Sequence, residues 1–242
     1  MKEQAPMTAA MPQRVTCVLF DLDGTLIDSA PGITHCLAET IERFGGPMVR
    51  PSSLREFVGP PVLETLRAFS AAAESRLPEV IADYRAAYLD HGLSNSSLFP
   101  GIPALLGMLG ELHVPLAVAT SKREDHARRI LELHDIDPAF SVISGAAEDE
   151  SSGAKHLVIR SALERLAASG ADVSDPILIG DRSFDSIGAA ALGIPMIFAS
   201  WGYGAPEEAA GSVLVAEHPF EVSALLQQLL KGYPHTKLGT RA

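Results

Sequence analysis

The chain has 242 residues, a formal net charge of −11 and a hydrophobic share of 47%. That length holds one large domain, or one domain with a substantial insert, and the apolar share is ordinary for a globular protein. With no basic stripe, the balance argues against a nucleic-acid partner, while a local cationic pocket for an anionic substrate stays compatible with it. No apolar stretch approaches the length of a bilayer span. Residues 1–13 lack the apolar segment of a secretory signal. They read as a disordered tail, as do 232–242, and the expectation is a cytoplasmic protein without a membrane partner. Cys17 and Cys36 fall in a predicted strand and a predicted helix and read as reduced, non-catalytic thiols.

The first strong element is Val15–Phe20, a short apolar run of the kind that forms a buried strand in a parallel sheet. It leads into Asp21-Leu22-Asp23-Gly24-Thr25. Residues two apart on an extended chain share a face, so Asp21 and Asp23 both face one site if the extension persists into the turn. Two unpaired carboxylates buried there carry a large desolvation cost. A divalent cation such as Mg²⁺ offsets it by taking carboxylate oxygens as ligands. The plainer reading is an acidic Asp-Gly turn.

Residues 31–99 are helical in character, with segments at Ile33–Phe44, Leu54–Phe57, Pro61–Ala73 and Glu79–His91. This is far longer than a simple crossover of about a dozen residues. It reads as a helical cap domain, hinged near Ala30-Pro31-Gly32 and near Leu98-Phe99-Pro100-Gly101. Val58-Gly59-Pro60-Pro61 is the candidate specificity loop, with Pro61 suited to open a helix. Arg55 and Arg67 flank it; each either binds a carboxylate or second phosphate of a substrate or is a solvated helix charge. His35 reads as a cap surface or packing residue.

From residue 100 onward, strands and helices alternate. Strands are predicted at Pro115–Ala119, Ser141–Ser144, Ile177–Ile179, Met196–Ala199 and Val213–Val215. Helices are predicted at Pro103–Leu112, Asp125–His134, Ala154–Ser169, Ser183–Leu192 and Phe220–Leu230. The alternation predicts an α/β fold, a doubly wound parallel sheet with the cap inserted after its first strand. The core comprises 14–30 and 100–231.

Chemistry gathers at the predicted strand ends. One carboxylate of the Asp21/Asp23 pair can attack phosphorus, and the other can protonate the leaving alkoxide and then deprotonate water. Gly24 lets backbone approach a phosphate closely. Thr120 and Ser121 offer a hydroxyl and a backbone N–H to phosphate oxygens, cap the next helix, or do both, since a helix N-terminus is itself an anion site. Of five lysines, only Lys122 and Lys155 lie inside the chain. Lys155, opening an amphipathic helix after Ser152-Gly153-Ala154, can hold a transferring phosphoryl group. Lys122 directly follows Thr120 and Ser121, and its head points either into the site or to solvent. Asp181 and Asp185 are four apart, so on a helix they share one face and repel. Mg²⁺ offsets that repulsion, and Arg182 is a competing partner.

These four segments, in this order and at this spacing, resemble the motifs of the haloacid dehalogenase-like hydrolases over roughly Val15 to Leu230. The resemblance implies a Rossmann-like core with a helical cap and Mg²⁺ as cofactor. It assigns Asp21 as nucleophile, Asp23 as general acid/base and backbone-carbonyl metal ligand, and Thr120 and Lys155 as catalytic groups. Gly24, Thr25, Ser121, Gly59 and Arg55 become substrate-binding candidates. Asp181 becomes a direct metal ligand, and Asp185 binds metal through water or positions Lys155. Halide release needs no second aspartate, and phosphonate cleavage uses a cap lysine, which is absent here; phosphoester hydrolysis fits best. His156 stands where the third motif usually carries proline, and Gly180-Asp181-Arg182-Ser183 replaces the commoner Gly-Asp-Ser form. The arrangement resembles the phosphoglycolate phosphatase-like and nucleotidase-like branch, acting on a small phosphorylated metabolite as a monomer or homodimer. The alternatives are a phosphomutase on the same scaffold and a non-catalytic binder of phosphate esters.

Overall fold

Strand β1 (Cys17–Phe20) forms the hub of a six-stranded parallel sheet, and all four of its residues are fully buried. The computed structural model describes residues 11–59, 62–69, 74–147 and 153–230. Pro60, Pro61, Ser152 and the tail 232–242, together with most of the predicted N-terminal tail, lie outside the described residues.

The remaining strands of this sheet are β4 (Leu116–Arg123), β5 (Val142–Ala146), β6 (Pro176–Gly180), β7 (Met196–Ala199) and β8 (Leu214–Ala216), in the order β5-β4-β1-β6-β7-β8. All neighbours run parallel, with Val18 opposite Leu116 on one side and Ile177 on the other. Chain order runs outward from β1 through β4 to β5, then crosses back to β6. Ligands of open α/β sheets bind at such a reversal, beyond the carboxyl ends of the strands.

Period-two alternation divides the core between the two faces of the sheet. Val18, Phe20, Val118, Ile177 and Ile179 pack with α4 (Ile102–Glu111), α5 (Glu124–Leu133) and α8 (Pro219–Leu229). Cys17, Leu19, Ala117, Leu178 and Phe198 pack with α6 (Lys155–Ala168) and α7 (Ser183–Ala190). Helices cover both faces, as the near-continuous apolar strands require. The predicted strand at 115–119 runs on to Arg123, with an irregularity in its pairing between Ala119 and Arg123.

Two chain crossings join this core to the helical segment, through the short antiparallel pair β2 (Ile27–Asp28) and β3 (Ser97–Leu98). Between them lie α1 (Ala30–Arg43), a 3₁₀ stretch Pro51–Phe57, α2 (Val62–Phe69), α3 (Leu77–Ala87) and a π-helical turn Tyr88–Gly92. The hinge expected at Ala30-Pro31-Gly32 is instead the first turn of α1, where Pro is accommodated because its missing N–H has no helical partner anyway. Gly32 is fixed there by close packing: a Cβ would lie 1.9 Å from the carbonyl oxygen of Gly92. Among the described residues, no helix is long and apolar enough to cross a membrane.

Candidate active site

The acidic cluster forms where β1 and β6 end. Asp21 follows β1 directly, and its backbone N–H donates to the carbonyl of Ile179 at 2.8 Å, continuing the ladder between the two strands. Asp181 follows β6 and Asp185 lies in the first turn of α7, so the pair does not share a helix face as expected. Asp185 instead folds back, and its Oδ2 accepts from the backbone N–H groups of Asp181 and Arg182 at 3.1 and 3.0 Å. Asp21, Asp181 and Asp185 are all buried, with carboxylate oxygens within 4.8 Å of one another.

Lys155 reaches this cluster from the first residue of α6. Its Nζ lies 2.6 Å from Asp21 Oδ1 and 2.7 Å from Asp185 Oδ1, and it donates to the carbonyl of Ala119 at 3.0 Å. Burial alone would favour the neutral amine, but Asp185 and Asp21 outweigh it and hold the ammonium above its ordinary pKa. Arg182 does not compete for Asp185, because its guanidinium points the other way, to Glu208 and the Val58 carbonyl.

Burial pushes the Asp21 carboxyl up to about 6, against the pull of Lys155, with Asp185 and Asp23 adding to the rise. Burial, then Asp185 and Asp21, also raise Asp181 well above the carboxylate range. Three buried carboxylates with one buried ammonium leave an excess of negative charge. A hard divalent cation on oxygen ligands fits that donor set. Asp21 and Asp181 are the side chains that would hold it, the latter aimed by Thr25 Oγ1 at 3.2 Å and the Tyr203 N–H at 2.8 Å.

Asp23 lies on the side of the cluster towards the cap. Its Oδ1 accepts from Ser29 Oγ at 2.5 Å, and Lys122 Nζ lies 3.1 and 3.0 Å from its two oxygens. Lys122 therefore points into the site, not to solvent, with its ammonium 4.7 Å from the centre of the Tyr88 ring. Thr120 is buried, and its Oγ1 accepts from the Lys122 N–H at 3.2 Å. Neither Thr120 nor Ser121 caps a helix, because the strand continues to Arg123 before α5 begins.

Other candidates take different places. Thr25 supports Asp181 through its hydroxyl. Gly24, at φ +87°, is required by Asp181: a Cβ would lie 2.2 Å from its Oδ2. Arg55 is exposed outside the cavity wall, its guanidinium 5.3 Å from the centre of the Tyr203 ring. The Tyr203 hydroxyl in turn donates to Asp28 and accepts from the Ala30 N–H. Gly59 and Ser121 do line the cavity.

That cavity, of about 590 Å³, lies between the helical segment and the sheet edge. Lys155, Asp23 and Lys122 form its floor; Phe57, Tyr84 and Tyr88 close it from the cap side, and His126 and Phe184 from the core. Sequence reasoning missed these aromatic groups. Tyr84 and Tyr88 are one turn apart on the continuous run of α3 and the π-helical turn, with stacked rings 6.0 Å apart, a spacing that reads equally as core packing. Phe57, His126 and Phe184 come singly from other elements. The scarcity of internal lysines was the usable signal for Lys122.

A Rossmann-like α/β core with an acidic cluster and a buried lysine at its switch point defines a class of hydrolase scaffold. The family model of haloacid dehalogenase-like hydrolases matches residues 18–199, and the chain belongs to that family. It is 44% identical over 187 residues to the tyrosine-protein kinase PtkA of Mycobacterium tuberculosis, covering 77% of this chain and 62% of that protein's length. It is 34% identical to a 5'-nucleotidase of Pseudomonas aeruginosa over 79% of this chain and 85% of that one. The crystal structure of a predicted phosphatase from Clostridium acetobutylicum superposes with a TM-score of 0.81 at 33% identity, covering 89% of this chain and all of that one.

Proposed function

We propose that the protein is a Mg²⁺-dependent phosphatase of small phosphorylated metabolites, working through an aspartyl-phosphate. The observation that carries this reading is the contact of Lys155 Nζ with Asp21 Oδ1 at 2.6 Å, made by a lysine that lines the cavity. In this reading the Asp21 carboxylate attacks phosphorus and displaces the ester oxygen. Asp23 gives that oxygen a proton, then takes one from the water that hydrolyses the acyl phosphate. Lys155 and Thr120 hold phosphoryl oxygens, and Asp185 holds Lys155. The bound cation would neutralise phosphate charge. Placement of charge of this kind dominates phosphoryl-transfer catalysis.

The cavity is roomier than a two-carbon phosphoester needs, and its Phe57, Tyr84 and Tyr88 wall favours a flat or apolar leaving group such as a nucleoside or phenol. The 44% identity to PtkA favours a second reading, transfer of phosphate to a tyrosine hydroxyl. Phosphate release from nucleoside monophosphates, sugar phosphates, phosphoglycolate and phosphotyrosine, with Mg²⁺ or EDTA, separates these. Release that needs Mg²⁺ and is lost in Asp21→Asn supports the phosphatase. Labelling of a tyrosine peptide from ATP without release of free phosphate supports the second reading. Silence in both assays sinks both.

A further inference from the structure

A second cluster of metal-binding side chains lies in the cap, away from the acidic centre. His35 and Glu39 are one turn apart on α1 and share a face; His91 comes from the π-helical turn after α3. His35 Nε2 lies 3.2 Å from Glu39 Oε1, and His91 Nε2 lies 3.0 Å from Glu39 Oε2. One donor atom from each of the three falls within 4.8 Å of the others.

We propose that His35, Glu39 and His91 form a site for a first-row transition ion such as Zn²⁺, which ties α1 to the π-helical turn. Two imidazoles and one carboxylate are a donor set that zinc takes with an open fourth position. Bond lengths of about 2.0–2.2 Å put tetrahedral donors about 3.4 Å apart. The separations of 3.2 and 3.0 Å, each to one of the two Glu39 oxygens, are close to that edge, and with all donors within 4.8 Å no pair has to close by more than about 1.4 Å.

Two further features prepare the site. Asp90 Oδ2 lies 3.4 Å from His91 Nδ1, on the ring nitrogen facing away from Glu39. A carboxylate there fixes the tautomer that leaves Nε2 free to ligate. The spacing of the two elements is set by the contact of Gly32 with the Gly92 carbonyl, so the donors do not depend on a flexible loop. Hard Mg²⁺ prefers the all-oxygen centre at Asp21, whereas imidazole donors select zinc or its neighbours. The buried Cys36 Sγ, 3.6 Å from His91 Nε2, packs beside the set.

Equilibrium dialysis of the untagged full chain with Zn²⁺ in saturating Mg²⁺ tests this, with Co²⁺ absorption reporting the geometry. Wild type and Asp181→Asn should each retain one ion with tetrahedral Co²⁺ bands. Glu39→Gln and His91→Ala should bind at least about tenfold more weakly, with unchanged melting in EDTA. His91→Gln serves if His91→Ala does not fold. Equal Zn²⁺ affinity in wild type, Glu39→Gln and the His91 variant overturns the proposal, as does binding lost only in Asp181→Asn, or no binding at all.

Discussion

Lys122 Nζ sits astride the carboxylate of Asp23, 3.1 Å from one oxygen and 3.0 Å from the other, although 99 residues separate the two. Both side chains are largely buried, at 8% and 13% exposure. The lysine comes from the irregular end of β4 and the aspartate from the turn after β1, so their meeting reports the correct docking of two adjacent strands. Ser29, just before α1, completes the grip on Asp23 from the cap side.

Removing the ammonium should therefore cost both stability and turnover. Lys122→Met leaves a mostly buried carboxylate without its cation, a loss of about 3–5 kcal/mol for a buried pair. Turnover should fall by roughly 10²-fold or more, the range for a displaced general acid. Urea unfolding and kcat are the two measurements. Asp23→Asn combined with Lys122→Met should be less destabilised than the sum of the singles, because the stranded charge is gone. Strict additivity would mean that the pair is not coupled.

The crowding of carboxylates sets a trade between fold stability and metal binding. Asp181 is held well above the carboxylate range by burial and by Asp185 and Asp21, so its charged form strains the metal-free protein. Asp181→Asn should raise the melting temperature in EDTA, by about 2–4 °C for each kcal/mol relieved. The same variant should lose the rise that Mg²⁺ gives the wild type. Thermal melts of both proteins, with Mg²⁺ and with EDTA, decide this. A variant less stable than wild type in EDTA would show that the hydrogen bonds from Thr25 and Tyr203 outweigh the repulsion.

Proton competition at Asp21 gives a pH dependence with a definite sign. Its folded pKa of about 6 lies above the ordinary 3.8, chiefly through burial. In the metal-free protein this group therefore favours the fold below the unfolded value, and that contribution is lost as pH rises from near 4 through about 6. The carboxylate a cation needs is present only above that range. Apparent Mg²⁺ affinity, measured by titration calorimetry, should thus weaken from about pH 8 to about pH 5. A flat affinity across that range would rule out Asp21 as the titrating ligand.

Much of this arrangement was legible in the sequence, for reasons that differ between elements. The central strands β1, β6 and β7 and the first part of β4 are apolar runs buried on both faces, and runs such as Ile177-Leu178-Ile179 admit little else. Asp21, Asp181 and Lys155 were legible because each follows directly on such a run or opens a helix. β2 and β3 were not: two residues carry no period, and their pairing depends on chain ends 70 residues apart. The place of Arg55 was not legible for a related reason. Flanking a loop in sequence says nothing of the Tyr203 ring that takes its guanidinium from a segment beyond β7. The Lys122 head could not be placed because its partner, Asp23, comes from the turn after another strand, 99 residues away.

Arg182 joins the catalytic core to the cap and offers the most direct test of how the two communicate. It follows Asp181, and its guanidinium donates to the Val58 carbonyl in the cap and, from Nε at 3.1 Å, to Glu208 in the core. Glu208 is also bonded by the N–H groups of Ser183 and Ala205. Although burial opposes it, these bonds hold its pKa down to about 2 from 4.5. The anchor is thus present above about pH 4.5 and is lost as pH falls towards 2. Arg182→Lys keeps the charge but not the planar fork that serves two acceptors at once. We expect it to raise KM several-fold, to change kcat less, and to speed proteolysis within 51–59, where the tether holds the cap against the site. Limited proteolysis beside steady-state kinetics tests both effects. If KM and cleavage rate match wild type, the cap is held by its apolar contacts alone, and the short bond to Val58 is incidental to closure.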